Sequence, residues 1–388
     1  MDKLIQEIDQ IITKAPNQTY YSEVELESLI LELSKDNRFD IFKNHCHRLG
    51  TSGYCFNNPT EFPNQILRRA KETSSQNVIN EIQDYFAASG VKIEFGLLLY
   101  SIHLDNEFTF SNGVRLIKTS SLTDSNLITF LNKEKISTGG TDTALLVVDY
   151  VTPKKYYSSI LPVSKDTADW SHVDYKTELT KKLDDTRLIL SLSRNPSYGI
   201  PVVGRFDIIP DKLHFLNNGV RYSPYSEPRT GFGPEIIGIE IQKAEDLLEK
   251  FENLSINDKD RIRIALKRLN DSKIDSNWAN KSINLRICFE NLFNGSSELG
   301  TAQTISERAP TYTNFSKTRA RKVYGFLSTA VHSGIPPEHE TINERDLIIE
   351  IHKTIIQFIE NGGYPVWPEM KKKWKLEKLI DCIKNVFN

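Results

Sequence analysis

Glu344-Arg-Asp-Leu-Ile-Ile-Glu-Ile-His-Lys-Thr-Ile-Ile-Gln-Phe-Ile-Glu360 is the stretch that decides the fold. Leu347, Ile348, Ile351, Ile355, Phe358 and Ile359 recur at the 3.6-residue period and form an apolar stripe wide enough to pack against several neighbours. The surrounding sequence supplies them. Helical spacing predicts helices over Ala244–Leu254, Asp258–Leu269, Asn277–Phe293, Ala302–Arg308, Lys317–His332 and Lys371–Val386. Asn294-Gly295, Gly334-Ile-Pro336 and Asn361-Gly-Gly363 punctuate their ends. From about residue 243 onward the chain reads as an all-α bundle.

Upstream the character is mixed. The first residues read as an amphipathic helix, and Ser22 with Glu25 has the spacing of a capping box opening a helix to Leu33. Leu49–Asn64, rich in Gly, Asn and Pro, reads as a loop, and Asn77–Phe86 as a helix that stops near Gly90. Val91–Ile102 begins in alternation, Phe108–Ile117 carries an Asn112-Gly113 turn between β-formers, and Ala144–Val151 is a short apolar run suited to a buried strand. Lys176–Ser193 reads as a helix. Val202–Ile209 and Leu213–Tyr222 read as a second strand pair, with a turn at Asn217-Asn-Gly219, and Ile236–Ile241 looks strand-like. The expectation is an α+β chain: a mixed α/β region over 1–242, regulatory or sensing, and a helical bundle over 243–388.

Composition bounds the function. The 388 residues are 39% hydrophobic and 26% charged, as expected of a globular protein. With 49 basic and 51 acidic residues the net charge is −2, so any nucleic-acid contact has to come from a local patch. Four scattered cysteines suit a reducing compartment, and the N-terminus does not read as a signal peptide. No apolar run approaches the roughly 20 residues that span a bilayer. These features lead to the expectation of a cytoplasmic protein without a membrane partner.

Phosphate-binding motifs fail on context. Gly231-Phe-Gly233 is followed by Pro234 and not by a helix, and Thr138-Gly-Gly-Thr141 lacks the lysine of a P-loop. His45-Cys-His47 with Cys55 fits no strong zinc spacing, so neither a metal nor a cofactor is expected. Lys371, Lys372 and Lys373, near Trp367 and Trp374, read either as a phosphate-gripping patch or as the solvated face of an amphipathic helix.

Arg321-Lys-Val-Tyr-Gly-Phe-Leu-Ser-Thr-Ala-Val-His332-Ser-Gly334 presents one histidine at a helix end, where it could move protons or simply cap the helix. Three segments taken together, Ile264–Asn270 ending in Arg-Leu-Asn, Ser282–Phe293 with its Glu290-x-Leu292, and Tyr324–Gly334, resemble the ApeA-like branch of the HEPN superfamily. The resemblance covers about residues 255–360. It implies a HEPN-like helical bundle that dimerises and cleaves RNA, tRNA among the candidates, without a metal in an antiviral or toxin role. It also allows an inactive relative that binds RNA or a protein trigger.

The family's motif is an arginine, four to six residues, then histidine, and His332 stands in the histidine's place. Leu327 occupies the arginine's usual position, with Ser328 as the small polar residue that follows. The resemblance therefore implies His332 as the proton-transfer residue and Glu290 as its orienting group, with a cation from elsewhere, Arg286 or Arg321, holding phosphate. Glu290 also fits the simpler reading of a carboxylate bonding a helix end. Tyr324, Ser328 and Arg319 complete the candidate RNA-contacting set.

Overall fold

The computed structural model describes residues 1–43, 45–49, 52–56, 58–100, 102, 104, 106–134, 143–153, 156–158, 171–216, 219–224, 238–294, 300–333 and 342–367, with only the backbone at 45–49, 52–55, 100, 153, 156–158, 171–176, 221 and 224. The chain is α+β: helices and antiparallel strand pairs lead into a helical C-terminal region. Two compact units are present. One comprises residues 1–99, 113–183 and 202–225, and the other 100–112, 184–201 and 226–388.

The first unit opens with α1 (Asp2–Lys14) and α2 (Glu23–Leu33). Glu25 Oε2 accepts from both the backbone N and the hydroxyl of Ser22 at 2.7 Å, so the capping box forms as its spacing predicts. Leu49–Asn64 departs from the expected loop. Strands β1 (His45–Leu49) and β2 (Ser52–Cys55) pair across it, and α3 (Glu61–Glu72) begins within it. Pro63 falls in the first turn of α3, where the missing N–H costs nothing. After α4 (Ser75–Ala87) come, in chain order, β3 (Gly90–Tyr100), β4 (Phe108–Thr109), β5 (Arg115–Lys118), α5 (Ser125–Lys133), β6 (Thr143–Pro153), β7 (Tyr156–Ser158), α6 (Ser171–Ser193), β8 (Val202–Ile208) and β9 (Arg221–Pro224), of which β4 and the part of α6 from Asp184 belong to the second unit.

Within this unit the strands lie in the order β5-β6-β3-β8-β9, and a smaller sheet has the order β2-β1-β7. Leu97, Leu98 and Leu99 of β3 are all buried, so the strand is enclosed on both faces there and the initial alternation does not continue. Phe206 of β8 stacks on Tyr222 of β9, and a Cβ at Gly204 would fall 2.1 Å from the Tyr222 ring. The stretch Leu213–Leu216 is not a strand. Asp211–Leu216 is a 3-10 helix whose Leu213, His214, Phe215 and Leu216 are all buried, so no face of that four-residue stretch is left polar and solvated. Phe215 joins an aromatic core with Phe42, Phe62 and Tyr85.

The second unit contains α7 (Gly238–Glu252), α8 (Ile256–Ile274), α9 (Trp278–Phe293), α10 (Thr301–Arg308), α11 (Lys317–Ser333) and α12 (Glu344–Glu360). Of the strand expected at Ile236–Ile241, residues 236 and 237 lie outside the described residues, and from Gly238 the chain is α7, with Ile241 turned into the core. α12 packs against α7, α8 and α9, as its broad stripe requires. Its end is set by Gly362 and Gly363, at φ 84° and 127°, and the N–H of Gly363 donates to the Phe358 carbonyl at 2.7 Å.

Side chains bind the upstream segments of this unit to the bundle. Arg263 Nε donates to Asp185 at 2.8 Å, and Glu245 accepts from the Ser111 N–H at 2.8 Å. Asn270, fully buried at the end of the Arg-Leu-Asn segment, accepts from the Ile200 N–H at 2.9 Å and donates to the Ile200 carbonyl at 3.5 Å. Its amide thus replaces a strand partner for an isolated peptide. Among the described residues, no helix is long and apolar enough to cross a membrane.

Candidate functional site

The sequence candidates in the bundle separate into two groups along α9 and α11, which pack together. The first group is a closed polar cluster. Arg286 and Glu290 stand one turn apart on α9, and Arg286 Nε donates to Glu290 Oε1 at 2.9 Å. Tyr324 of α11 donates its hydroxyl to the same oxygen at 2.7 Å. The Arg286 guanidinium lies 5.6 Å from the centre of the Tyr324 ring. The hydrogen bond to Glu290 raises the Arg286 pKa above the ordinary guanidinium value. Burial, and then the bond to Glu290, raises the Tyr324 hydroxyl. At neutral pH the guanidinium is therefore charged and the phenol protonated.

The second group lies on the adjoining face of α11, about 40–100° around the axis from Tyr324. Leu327 is fully buried, whereas Arg321, Gly325 and His332 are exposed and Ser328 is half-buried. At about 100° per residue, Arg321 and His332 are roughly 20° apart around the axis and about 16 Å apart along it. Gly325 and Ser328 lie between them on the same face, and no heavy atom comes within 4 Å of a Cβ built at Gly325. Among the described residues, Arg321 and His332 have no ion-pair partner. Arg319 is held differently, 3.6 Å from Asp346 of α12 and over the Phe315 ring at 5.3 Å.

The two groups are not one site within a single chain. His332 lies eight residues beyond Tyr324, about 12 Å along the helix, so Glu290 is out of hydrogen-bond reach of its imidazole. Lys371, Lys372 and Lys373 lie outside the described residues, as do Gly231-Phe-Gly233 and Thr138-Gly-Gly-Thr141. His45, Cys46, His47 and Cys55 fall on β1 and β2, where Cys46 and Cys55 are backbone partners.

Two groupings of titratable residues have no counterpart among the sequence candidates. Lys273 of α8 and His352 of α12 meet in the core, Nζ to Nδ1 3.3 Å. Burial pushes the Lys273 ammonium down to about 7 and His352 down to about 3. In the first unit Asp124, Asp211 and His214 converge. Only the Asp211-x-x-His214 spacing gave a local hint of that convergence, because Asp124 is far away in sequence.

No protein-family model, no curated protein and no solved structure matches this chain.

Proposed function

We propose that the second unit is a HEPN-type RNA-directed module, and that the chain cleaves RNA without a metal as a homodimer joined along α11, in an antiviral or toxin role. The observation that supports this is the shared exposed face of Arg321 and His332, centred on Gly325 and Ser328. Two copies of α11 crossing antiparallel about that centre bring Arg321 of one protomer opposite the partner's His332, twice by symmetry. The absence of a side chain at Gly325 permits the close approach.

Each composite site would hold one phosphate on Arg321 while the partner's His332 handles protons. The ribose 2′-hydroxyl attacks phosphorus, a P–O2′ bond forms and the P–O5′ bond breaks, leaving a 2′,3′-cyclic phosphate and a 5′-hydroxyl. One proton leaves the 2′-oxygen and one is delivered to the 5′-oxygen, both exchanges suited to imidazole at neutral pH. The arginine offsets charge developing on the phosphate oxygens. In this arrangement Arg286, Glu290 and Tyr324 fix the angle between α9 and α11.

The test is incubation of the purified chain with total RNA and tRNA in EDTA, beside His332→Ala and Arg321→Ala. Cleavage by the wild type alone supports the reading. Equal cleavage by either variant rejects it.

A second reading is favoured by the sequestered cation. Arg286 is committed to Glu290, and the position five residues before His332 is a buried leucine, so among the described residues neither the usual position nor Arg286 offers His332 a cation from its own chain. A module of this kind would bind RNA or a protein trigger without cleaving. It would show salt-sensitive, saturable RNA binding and no product in the same assay.

A further inference from the structure

Asp124, Asp211 and His214 belong to the first unit and play no part in the proposed cleavage. Asp124 is the N-cap of α5: its Oδ1 accepts from the Leu127 N–H at 3.0 Å and its Oδ2 from the Ile209 N–H at 2.9 Å. Asp211 opens the 3-10 helix after β8, and its Oδ1 accepts from the N–H and the hydroxyl of Ser125, both at 3.0 Å. His214 lies one turn further along. Asp124 and His214 side chains are 3% and 2% exposed, and that of Asp211 is 37% exposed, so one edge of the group is open to solvent.

The distances around His214 are unusual for a hydrogen bond. Its Nε2 is 3.3 Å from Asp124 Oδ1, 3.3 Å from Asp211 Oδ1 and 3.3 Å from the Ile209 carbonyl oxygen. An N–H donating to one of them would draw that oxygen to about 2.9–3.0 Å and leave the others further off. Here a buried ring nitrogen is equidistant from three oxygens and at normal length from none. In a tetrahedral metal site with bonds of about 2.0–2.1 Å, neighbouring donor atoms stand about 3.3–3.4 Å apart. The three separations match that edge length, and the side-chain ligand atoms all lie within 4.8 Å of one another.

Charge and outer contacts agree with this. Two carboxylates converge on an imidazole, and the neighbouring guanidinium of Arg69 is already bound to Glu81 at 2.8 Å and Glu72 at 3.3 Å. Backbone N–H groups and the Ser125 hydroxyl fix both carboxylates, as outer contacts do for metal ligands. The second ring nitrogen, Nδ1, is 3.3 Å from the Asn126 amide. An amide's two ends are interchangeable in position, so Asn126 can present oxygen to an Nδ1–H and leave Nε2 free to ligate.

We propose that Asp124 Oδ1, Asp211 Oδ1 and His214 Nε2 bind a divalent transition metal of the zinc type, with the Ile209 carbonyl as the fourth oxygen. The ion would clip the start of α5 to the turn that follows β8. The carboxylate and imidazole donors suit zinc or cobalt, and the open edge at Asp211 is the entry path.

The experiment is a cobalt(II) titration of the full chain after chelator treatment and removal of the chelator, followed by visible absorption. One equivalent should develop the intense bands of tetrahedral cobalt, without the near-ultraviolet band of a thiolate ligand. Asp211→Asn, which keeps the volume and the contacts to Ser125, should bind at least about 100-fold more weakly while melting at the wild-type temperature without metal. Zinc should raise the melting temperature of the wild type and leave that of the variant unchanged, a readout independent of spectroscopy. A weak octahedral spectrum, a thiolate band, or an identical titration for Asp211→Asn would overturn the site.

Discussion

The Tyr324 hydroxyl donates to Glu290 Oε1 at 2.7 Å, linking α11 to α9 through an oxygen that also receives Arg286. The bond is partly open to water, so its loss is moderate. Tyr324→Phe is expected to cost about 1 kcal/mol in denaturant unfolding. If the cluster only sets the helix angle, the Phe variant should retain most RNA cleavage, and kinetic assays of the refolded protein would show this.

Leu327 stands where the family pattern has arginine, yet it faces the core. Restoring the motif by Leu327→Arg would put a long cation at a fully buried position. The expected outcome is destabilisation by about 3–5 kcal/mol, not a gain of activity. A stable Leu327→Arg protein with faster RNA cleavage would show that the site is built as in the usual motif.

His352 makes stability depend on pH. Burial holds its folded-state pKa near 3, assisted by Lys273 and Lys353 and opposed by a backbone contact at Leu192. The unfolded chain regains the ordinary value near 6.5 and binds the proton that the folded state refuses. Stability from this group is therefore present above about pH 6.5 and is lost as pH falls toward 3. Lys273, near 7 when folded through burial and the neighbouring Arg194, acts higher: stability rises from pH 7 toward 10.5 as the unfolded chain alone stays protonated. Chemical denaturation of His352→Gln should show a flatter acid limb, by a few kcal/mol across that range.

Asn270 satisfies both backbone groups of Ile200 from inside the core. Asn270→Ala leaves that N–H without a partner, while the carbonyl keeps the 2.9 Å bond from Arg187, and Gly199, packed 2.6 Å from Ile274 at its virtual Cβ, allows no rearrangement toward the bundle. A loss of about 1–3 kcal/mol is expected in equilibrium unfolding.

The helical unit was legible because its punctuation is local. Asn277 and Asn343 cap α9 and α12 by accepting backbone N–H groups two residues on, and Asn361-Gly-Gly363 stops α12. The α12 bounds agree with those read from its stripe. Misreadings arose where tertiary enclosure overrode period. Gly238–Ile241, the described part of the strand-like Ile236–Ile241, is the first turn of a helix, and Leu213–Leu216 reads as a strand because a 3-10 turn is buried on every side. α3 was hidden by Pro63 and by Asn64 and Gln65, polar residues that are nonetheless buried. In the candidate site, Arg286 with Glu290 is readable from one-turn spacing. Tyr324 closing onto them, and Asp124 meeting His214, depend on packing between distant segments.

The central claim is that Arg321 of one protomer serves the partner's His332. Its most direct test is subunit mixing in EDTA, with folding verified by circular dichroism because the chelator also removes any metal held by the first unit. Arg321→Ala and His332→Ala should each be inactive on RNA. Mixed and allowed to exchange, they should recover about a quarter of wild-type cleavage, because half the dimers then carry one intact composite site. Failure of the mixture to recover activity, while wild type cleaves, would contradict the shared site.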